Sequence, residues 1–456
     1  MSGETDATDP ADGTPGTFDT YRQFFALERD VLVLSVAMFA FSLGFQMTNR
    51  YVPEYMAVLG AGGIAIGLFG TFGNVISALY PYPGGAFSDR VGSRLSLTLF
   101  GLASSVGFAI WLVAPWLGTV DLGAVVLEPW IWIFVGLLFA QAWKSFGLGA
   151  TFAIVKQAVE PSRLARGFAS TEVFRRSAFL VGPLIAAGVL YVATDFAAGF
   201  QYVLAIAVAF GLAATLAQHS LYDPSGDSFG KEFEGISQIA GDLRALPEPL
   251  KPLLVADTLV RFANGMVYVF FVLVVVRVLE VDLTVFGYYL SPAVLFGVLL
   301  AIEMVVALVS MPPAAKLAER VGLKPIVALG FAVYAIFPVL LINAPDSALA
   351  VGLLFAFSGL RFAGLPAHKA LIVGPAEAGA GGRVTGSYYL VRNVIVIPSA
   401  ALGGLLWEGF SNPLTGAELF AGSPTLAFTL ATVIGLLGTG YFLAFGREFE
   451  PYARSA

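Results

Sequence analysis

Gly85-Ala86-Phe87-Ser88-Asp89-Arg90-Val91-Gly92-Ser93-Arg94 is a short charged turn wedged between two long apolar runs. It returns, altered, as Ala315-Lys316-Leu317-Ala318-Glu319-Arg320-Val321-Gly322-Leu323-Lys324. An acid, an Arg, Val-Gly and then a base two residues on recur in that order. Each copy sits at the exit of the second apolar run of its half of the chain. A repeat of this kind within an apolar chain predicts a duplicated bundle of membrane helices. Gly92 and Gly322 are where the chain can take a positive φ just past a helix end. The acid can then lie near a neighbouring helix N-terminus while the bases stay in water.

Working outward from this turn, the composition gives the same class. The chain has 456 residues, 57% hydrophobic and only 12% charged, against roughly 25% charged for a soluble domain. A spanning helix needs about 20 predominantly apolar residues, so the length accommodates about twelve spans with short loops. The pattern divides into an acidic tail at 1–30, an N-terminal bundle at 31–220, a hydrophilic linker at 221–251, a C-terminal bundle at 252–446 and a short tail at 447–456. Phe233, Ile236, Ile239 and Leu243 in the linker fall at helical spacing, which suits an amphipathic helix on the membrane surface. The halves align beyond the turn. Val135-Gly-Leu-Leu-Phe-Ala140 recurs as Val351-Gly-Leu-Leu-Phe-Ala356, and one common spacing pairs Glu160 with Glu377, Arg166 with Arg383 and Arg175 with Arg392.

Net charge is −6 and cysteine is absent, with His219 and His368 as the two histidines. Disulfides, thiolate catalysis and Cys/His metal sites are thereby excluded or nearly so, and no cofactor, metal or nucleic-acid partner is expected. No basic stretch precedes a short apolar core, so no cleavable signal peptide is expected. Lys and Arg concentrate in alternate connections, among them Arg90, Arg94, Lys156, Arg163, Lys316, Arg320 and Lys324. The positive-inside rule then puts both termini in the cytoplasm, in a plasma-membrane protein. A polytopic membrane enzyme would need an acid/base or nucleophile cluster. The sequence offers no thiol, no Gly-x-Ser-x-Gly elbow and no evident His/Asp pair.

The decapeptide resembles the loop signature of the major facilitator superfamily, Gly-x-Leu-Ala-Asp-Arg-x-Gly-Arg-Arg. Gly85, Asp89, Arg90, Gly92 and Arg94 match it; Arg320, Gly322 and Lys324 match in the second copy, with Glu319 in place of Asp. The resemblance implies an all-α membrane protein of twelve transmembrane helices in two pseudo-symmetric six-helix bundles. It implies secondary transport of a small solute by alternating access, with these two turns as conformational gate loops, and a monomer in the bilayer. Helix four carries Lys144-Ser-Phe-Gly147-Leu-Gly149, similar to a signature of proton-coupled drug exporters but one spacer short and with Lys for Arg. A multidrug exporter therefore stands as an alternative, and a membrane enzyme or a transporter-like sensor as alternatives of another class.

A charge at membrane depth costs a few kcal/mol on insertion scales, so each such group is a functional candidate. Helices one, four, seven and ten line the cavity in the family resembled, which selects Gln46, Asn49, Lys144, Arg261, Asn264, Arg361 and His368; Arg175 and Arg392 join them as paired bases at depth. The bases outnumber the acids, which favours an anionic or polar solute, since guanidinium pairs well with carboxylate or phosphate. Glu172 and Glu303 are candidates for a coupling proton, with proton or other ion coupling left open. Asp89→Asn should shift the population toward the inward-open state, read as altered cross-linking between engineered cytoplasmic cysteines; unchanged cross-linking and transport would count against that role.

Overall fold

The computed structural model describes residues 29–121, 123, 126–146, 164–223, 247–373, 381–411 and 417–448. The amphipathic part of the linker, Gly147 and Gly149, Lys156 and Arg163, Glu160 and Glu377, and both outer tails lie outside these residues, as do the side chains of Asp89, Glu172 and Glu319. Among the described residues nine helices are long and apolar enough to cross a membrane; a pair bent by 41° makes a tenth, and two shorter apolar helices, Gly63–Leu79 and Ile131–Phe146, complete the series.

In chain order the bent pair is α1 (Arg29–Thr48) and α2 (Val52–Val58), followed by α3 (Gly63–Leu79), α4 (Pro81–Val91) and α5 (Ser93–Leu117). Then come α6 (Ile131–Ala140), α7 (Ala142–Phe146), α8 (Leu164–Val192) and α9 (Phe196–Leu221). The second half holds α10 (Leu250–Val267), α11 (Pro292–Val321), α12 (Leu323–Ile342), α13 (Ala348–Gly359), α14 (Leu365–Val373), α15 (Gly381–Val396), α16 (Ser399–Glu408) and α17 (Pro424–Phe445). Three two-stranded hairpins, starting at Val120, Leu283 and Gly409, tie connections at one end of the bundle.

The repeated turn has the same backbone in both copies. Gly92 has φ 88° and ψ 156°, and Gly322 has φ 90° and ψ 166°. Each glycine N–H donates to the carbonyl four residues back, Ser88 or Ala318, at 2.9 Å. The turn ends one helix and starts the next with no spare residue. In the second copy Glu448 accepts from the N–H groups of Leu323 and Lys324 at 3.0 and 2.8 Å, satisfying the exposed donors of α12.

Several spans are broken rather than straight, which matters because irregular backbone at membrane depth is tolerated only where protein or water covers it. After α10 the chain passes through a 3-10 turn at Tyr268–Phe270 and a π turn at Val274–Val278. A 3-10 turn at Leu360–Phe362 separates α13 from α14, whose first turn holds Pro366. Pro398 separates α15 from α16. Pro removes a backbone donor and clashes with the preceding turn, which accounts for the breaks at Pro366 and Pro398; the turns after α10 contain no Pro.

The halves meet at the hairpin end. Here α3 packs on α16 and α8 on α11. Gly67 and Gly404 cross so closely that a Cβ on Gly67 would lie 2.9 Å from the Gly404 Cα. Thr71 accepts from Ala401 N–H at 2.9 Å, and Glu408 accepts from Ile64 N–H at 2.6 Å. Tyr51, fully buried, donates to the Ala293 carbonyl at 3.0 Å and lies edge-on to Phe296. Forcing a larger side chain into such a crossing costs about 1–3 kcal/mol. Gly404→Leu should therefore lower the thermal midpoint by several degrees and reduce transport. Gly188→Leu, at a glycine with nothing within 4 Å of its added Cβ, should do neither; equal effects of the two would remove the claim.

Candidate functional site

Asp257 is completely buried on α10 and forms the centre of the first charged cluster. Its Oδ1 lies 3.3 Å from Arg261 Nε, one turn on along the same helix. Its Oδ2 lies 3.1 Å from Arg392 NH1, 3.1 Å from the Tyr388 hydroxyl and 3.2 Å from His368 Nε2. Three hydrogen-bond donors, Arg261, Arg392 and Tyr388, and the imidazole of His368 thus converge on one carboxylate from three spans. A carboxylate has about four lone-pair sites, and these donors take three of them. The His/Asp proximity corrects the sequence expectation that no such pair exists. It is assembled from helices seven and ten, which no local spacing reveals.

A second carboxylate, Glu303 on α11, is also buried. It accepts from Ser358 at 2.5 Å, pairs with Arg361 NH2 at 2.8 Å and has Arg50 NH2 at 3.7 Å. Arg361 sits in the 3-10 turn between α13 and α14, and close packing of Gly359 against α11 near Glu303 brings that turn in. Its side chain is only 2% exposed, and its Nε and NH1 have no hydrogen-bond partner. Tyr334 on α12 joins the clusters. Its ring centroid lies 4.7 Å from the Arg261 guanidinium carbon and 5.0 Å from that of Arg361, and its hydroxyl accepts from Arg261 at 3.0 Å. Cation–π contact of this kind holds a guanidinium in place without neutralising it. Four guanidiniums face two carboxylates, so the two clusters together carry uncompensated positive charge.

A cavity of about 240 Å³ opens beside the first cluster, between the halves. Gly70 and Asn74 of α3 form one wall; Arg261, Asn264 and Tyr268 form a second; Arg392 and Asn393 of α15 form a third. Asn393 Oδ1 accepts from Arg392 at 2.9 and 3.2 Å, and the Tyr389 ring lies under the Arg392 guanidinium at 4.5 Å. The wall therefore presents two guanidiniums and three carboxamides. Arg50 approaches from the N-terminal half with its guanidinium 4.0 Å from the centroid of the Tyr268 ring. Above this region, toward the hairpin end, Glu54 and Arg277 join the halves through two hydrogen bonds of 2.8 and 2.9 Å.

The sequence candidates divide accordingly. Arg261, Asn264 and Arg392 line the cavity. His368 and Arg361 lie behind its wall, buried on the two carboxylates. Gln46 on α1 and Asn49 in the turn after it are half-buried outside the lining. Lys144 is exposed, with its Nζ 4.4 Å from the centre of the Phe45 ring, and Arg175 lies over Phe179 at 5.8 Å. Of the acids put forward for a coupling proton, Glu303 is an ion-pair partner, and the Glu172 side chain lies outside the described set. In the turns, Arg94 donates to the His219 carbonyl at 2.7 Å, while Arg90 and Arg320 are exposed. Asp257, Asn74 and Tyr334 were missed as site residues. For Asn74 the signal was a carboxamide in the middle of an otherwise apolar run; for Asp257, its place one turn before Arg261.

The Major Facilitator Superfamily profile matches residues 34–394. The chain belongs to this superfamily. Such proteins are integral membrane transporters, and the chain shares 32% identity over 196 residues with uncharacterized MFS-type transporters from two strains of Mycobacterium tuberculosis, CDC 1551 and H37Rv. That match covers 43% of this chain and 42% of each relative. In structure the chain is similar to the nucleoside transporter NupG, with TM-score 0.71 and 12% identity over 92% of this chain and 100% of that one. It is also similar to a POT family transporter in complex with 5-aminolevulinic acid, with TM-score 0.70 and 15% identity over 93% and 97%. At these identities the likeness shows this superfamily's fold.

Removing one partner of a buried ion pair costs about 3–5 kcal/mol, because it strands the other charge. Arg361→Ala should therefore destabilise this superfamily member sharply in detergent. The double variant Glu303→Gln, Arg361→Met should recover much of the loss, giving a large coupling in a double-mutant cycle. Additive losses would show that the pair is not a unit.

Proposed function

We propose that this chain is a secondary transporter that carries a small organic anion across the cytoplasmic membrane by alternating access. The observation that carries the reading is the cavity wall itself. Arg261 and Arg392, each beside Asp257, stand next to Asn74, Asn264 and Asn393 at the junction of the halves. Guanidiniums recognise carboxylate or phosphate, and the carboxamides add donors and acceptors for hydroxyl or carbonyl groups. The bodies that move are residues 31–220 and 252–446, linked by 221–251, with both termini cytoplasmic on the positive-inside rule. On that orientation the hairpin end, with Glu54 on Arg277 and Glu408 on Ile64, is the closed outer gate. The cavity then belongs to an inward-open arrangement. Cargoes of the structural neighbours give no guide at 12–15% identity.

The exporter alternative calls for a wall that suits a lipophilic cation, which two guanidiniums oppose. In proteoliposomes loaded with labelled carboxylates, sugar phosphates or inorganic phosphate, at least one anion should exchange. Removing a charge-assisted hydrogen bond costs about 1.5–3 kcal/mol. Arg261→Ala and Arg392→Ala should each weaken the half-saturating concentration by roughly 10- to 150-fold on that basis, and Asn74→Ala by about fivefold. Exchange of every tested anion left intact in both arginine variants would overturn the anion reading.

A further inference from the structure

Behind the cavity wall, His368 is 4% exposed and has no part in the lining. Its Nε2 lies 3.2 Å from Asp257 Oδ2, the same oxygen that accepts from Arg392 and Tyr388. The Phe331 and Tyr388 rings stand edge-on to it at 5.8 and 6.2 Å, so the imidazole cannot swing far from the carboxylate. The charged and titratable groups presented to this region are Asp257 and Arg261 from α10, Tyr334 from α12, Tyr388, Tyr389 and Arg392 from α15, and Glu303 from α11. Glu303 is already held by Arg361. Lys369, next to His368 in sequence, is exposed. One acid is thus shared between two guanidiniums that face the cargo cavity and one imidazole that does not.

We propose that His368 is the proton carrier that couples an inward proton to the anion. The idea rests on the anion reading above. An imidazole is the side chain whose ordinary titration falls between about pH 5 and pH 8. With neutral His368, Asp257 compensates one of the two guanidiniums. When the ring takes up one proton at Nδ1, the nitrogen turned away from Asp257, the imidazolium 3.2 Å away competes with the two guanidiniums for that carboxylate. Three positive charges then share one negative charge. Arg261 and Arg392, held at the cavity wall by Tyr334 and by Asn393 and Tyr389, are then less fully neutralised by Asp257. The cluster rises by one positive charge and the cargo supplies the compensating negative one. Proton and anion therefore bind together and leave together, with no net charge added to the buried site by a monoanion.

The sign of the linkage is fixed by this scheme: anion binding takes up a proton, so affinity rises as pH falls through the imidazole range. The test measures binding of lactate, succinate and inorganic phosphate to the purified full chain by thermal shift and by isothermal titration in two buffers, at about pH 5.5 and about pH 8. Binding of at least one anion should be about tenfold or more tighter at the lower pH, with proton uptake shown by the buffer dependence of the heat. His368→Gln should abolish the pH dependence, and Asp257→Asn should give tight binding at both pH values. A merely structural role for either residue predicts lower stability with the pH profile unmoved. Binding of none of the three at either pH overturns the anion reading and this proposal with it. Binding that is equal at both pH values, with no proton uptake, overturns the coupling role alone. A ligand-free check avoids any folding defect at position 368. The chain has two histidines, so His219→Gln leaves one imidazole resonance, which should titrate in the unliganded protein and shift toward the protonated form on adding the anion that binds. A resonance that keeps one charge state throughout would also overturn it.

Discussion

Two carboxylates, each shared by two guanidiniums in the interior of a membrane protein, constrain most of what surrounds them. An unpaired charge in such a place costs several kcal/mol, and even a paired one is tolerated only when its remaining donors and acceptors are satisfied. A tyrosine hydroxyl helps to meet this condition at Asp257, with the His368 ring close by, and a serine does so at Glu303. These partners come from different spans, so the spans must approach closely at the right height. The close fit of Gly359 against α11, and the 3-10 turn that presents Arg361, follow from that need. The charged clusters and the helix breaks form one solution to one electrostatic problem.

The placement of the breaks carries this into the geometry of the halves. The 3-10 turn at Tyr268–Phe270 follows directly on the helix that bears Asp257 and Arg261, and the one at Leu360–Phe362 precedes the helix that bears His368. A straight helix would transmit a tilt of one end rigidly to the other. A broken one lets the hairpin-end segment remain packed while the segment with the charges changes its angle. Of the contacts between halves described above, Tyr51 with Ala293 and Glu54 with Arg277 lie toward the hairpin end, and Thr71 with Ala401 lies beside the cavity-lining Gly70 and Ala400. These polar contacts are few and lie within the packed faces of α3 on α16 and α8 on α11. Such contacts can exchange for others at low cost, as a rocking pair of bundles requires.

The repeated turn could be read from the sequence down to the sign of φ at its glycine, because a glycine after a helix end in a charged, tight connection has few alternatives. Gly92 and Gly322 differ by only a few degrees in φ. The polar face of helix seven was equally legible, since Arg261, Asn264 and Tyr268 follow helical spacing and all three reach the cavity. What the sequence could not give was the pairing across helices. Asp257 and His368 are far apart in the chain and meet only because α10 and α14 both pack near α15. Periodicity reports which residues share a face, and it is silent on which faces meet. The same limit applies to Arg361: its helix suggested a cavity residue, whereas the turn before Pro366 aims it at Glu303.

On the proposed reading of the cavity as an anion-binding site, the acids beside it look counterproductive, since each one subtracts from the attraction the arginines offer. The requirement of a carrier resolves this. A transporter must reorient when empty as well as when loaded, and a pocket of naked guanidiniums would be costly to move through a low-dielectric interior. Asp257 and Glu303 act as built-in substitutes for the cargo's charge, holding the arginines when no anion is present. The affinity forgone is the condition for turnover, because a site that binds only weakly more than its own internal partner can also let go. On this argument the carboxylates are as much a part of the transport machinery as the bases. On the proposed reading, the pairing of both carboxylates in the present arrangement, with the cavity wall still in excess positive charge, is what an empty carrier awaiting an anion requires.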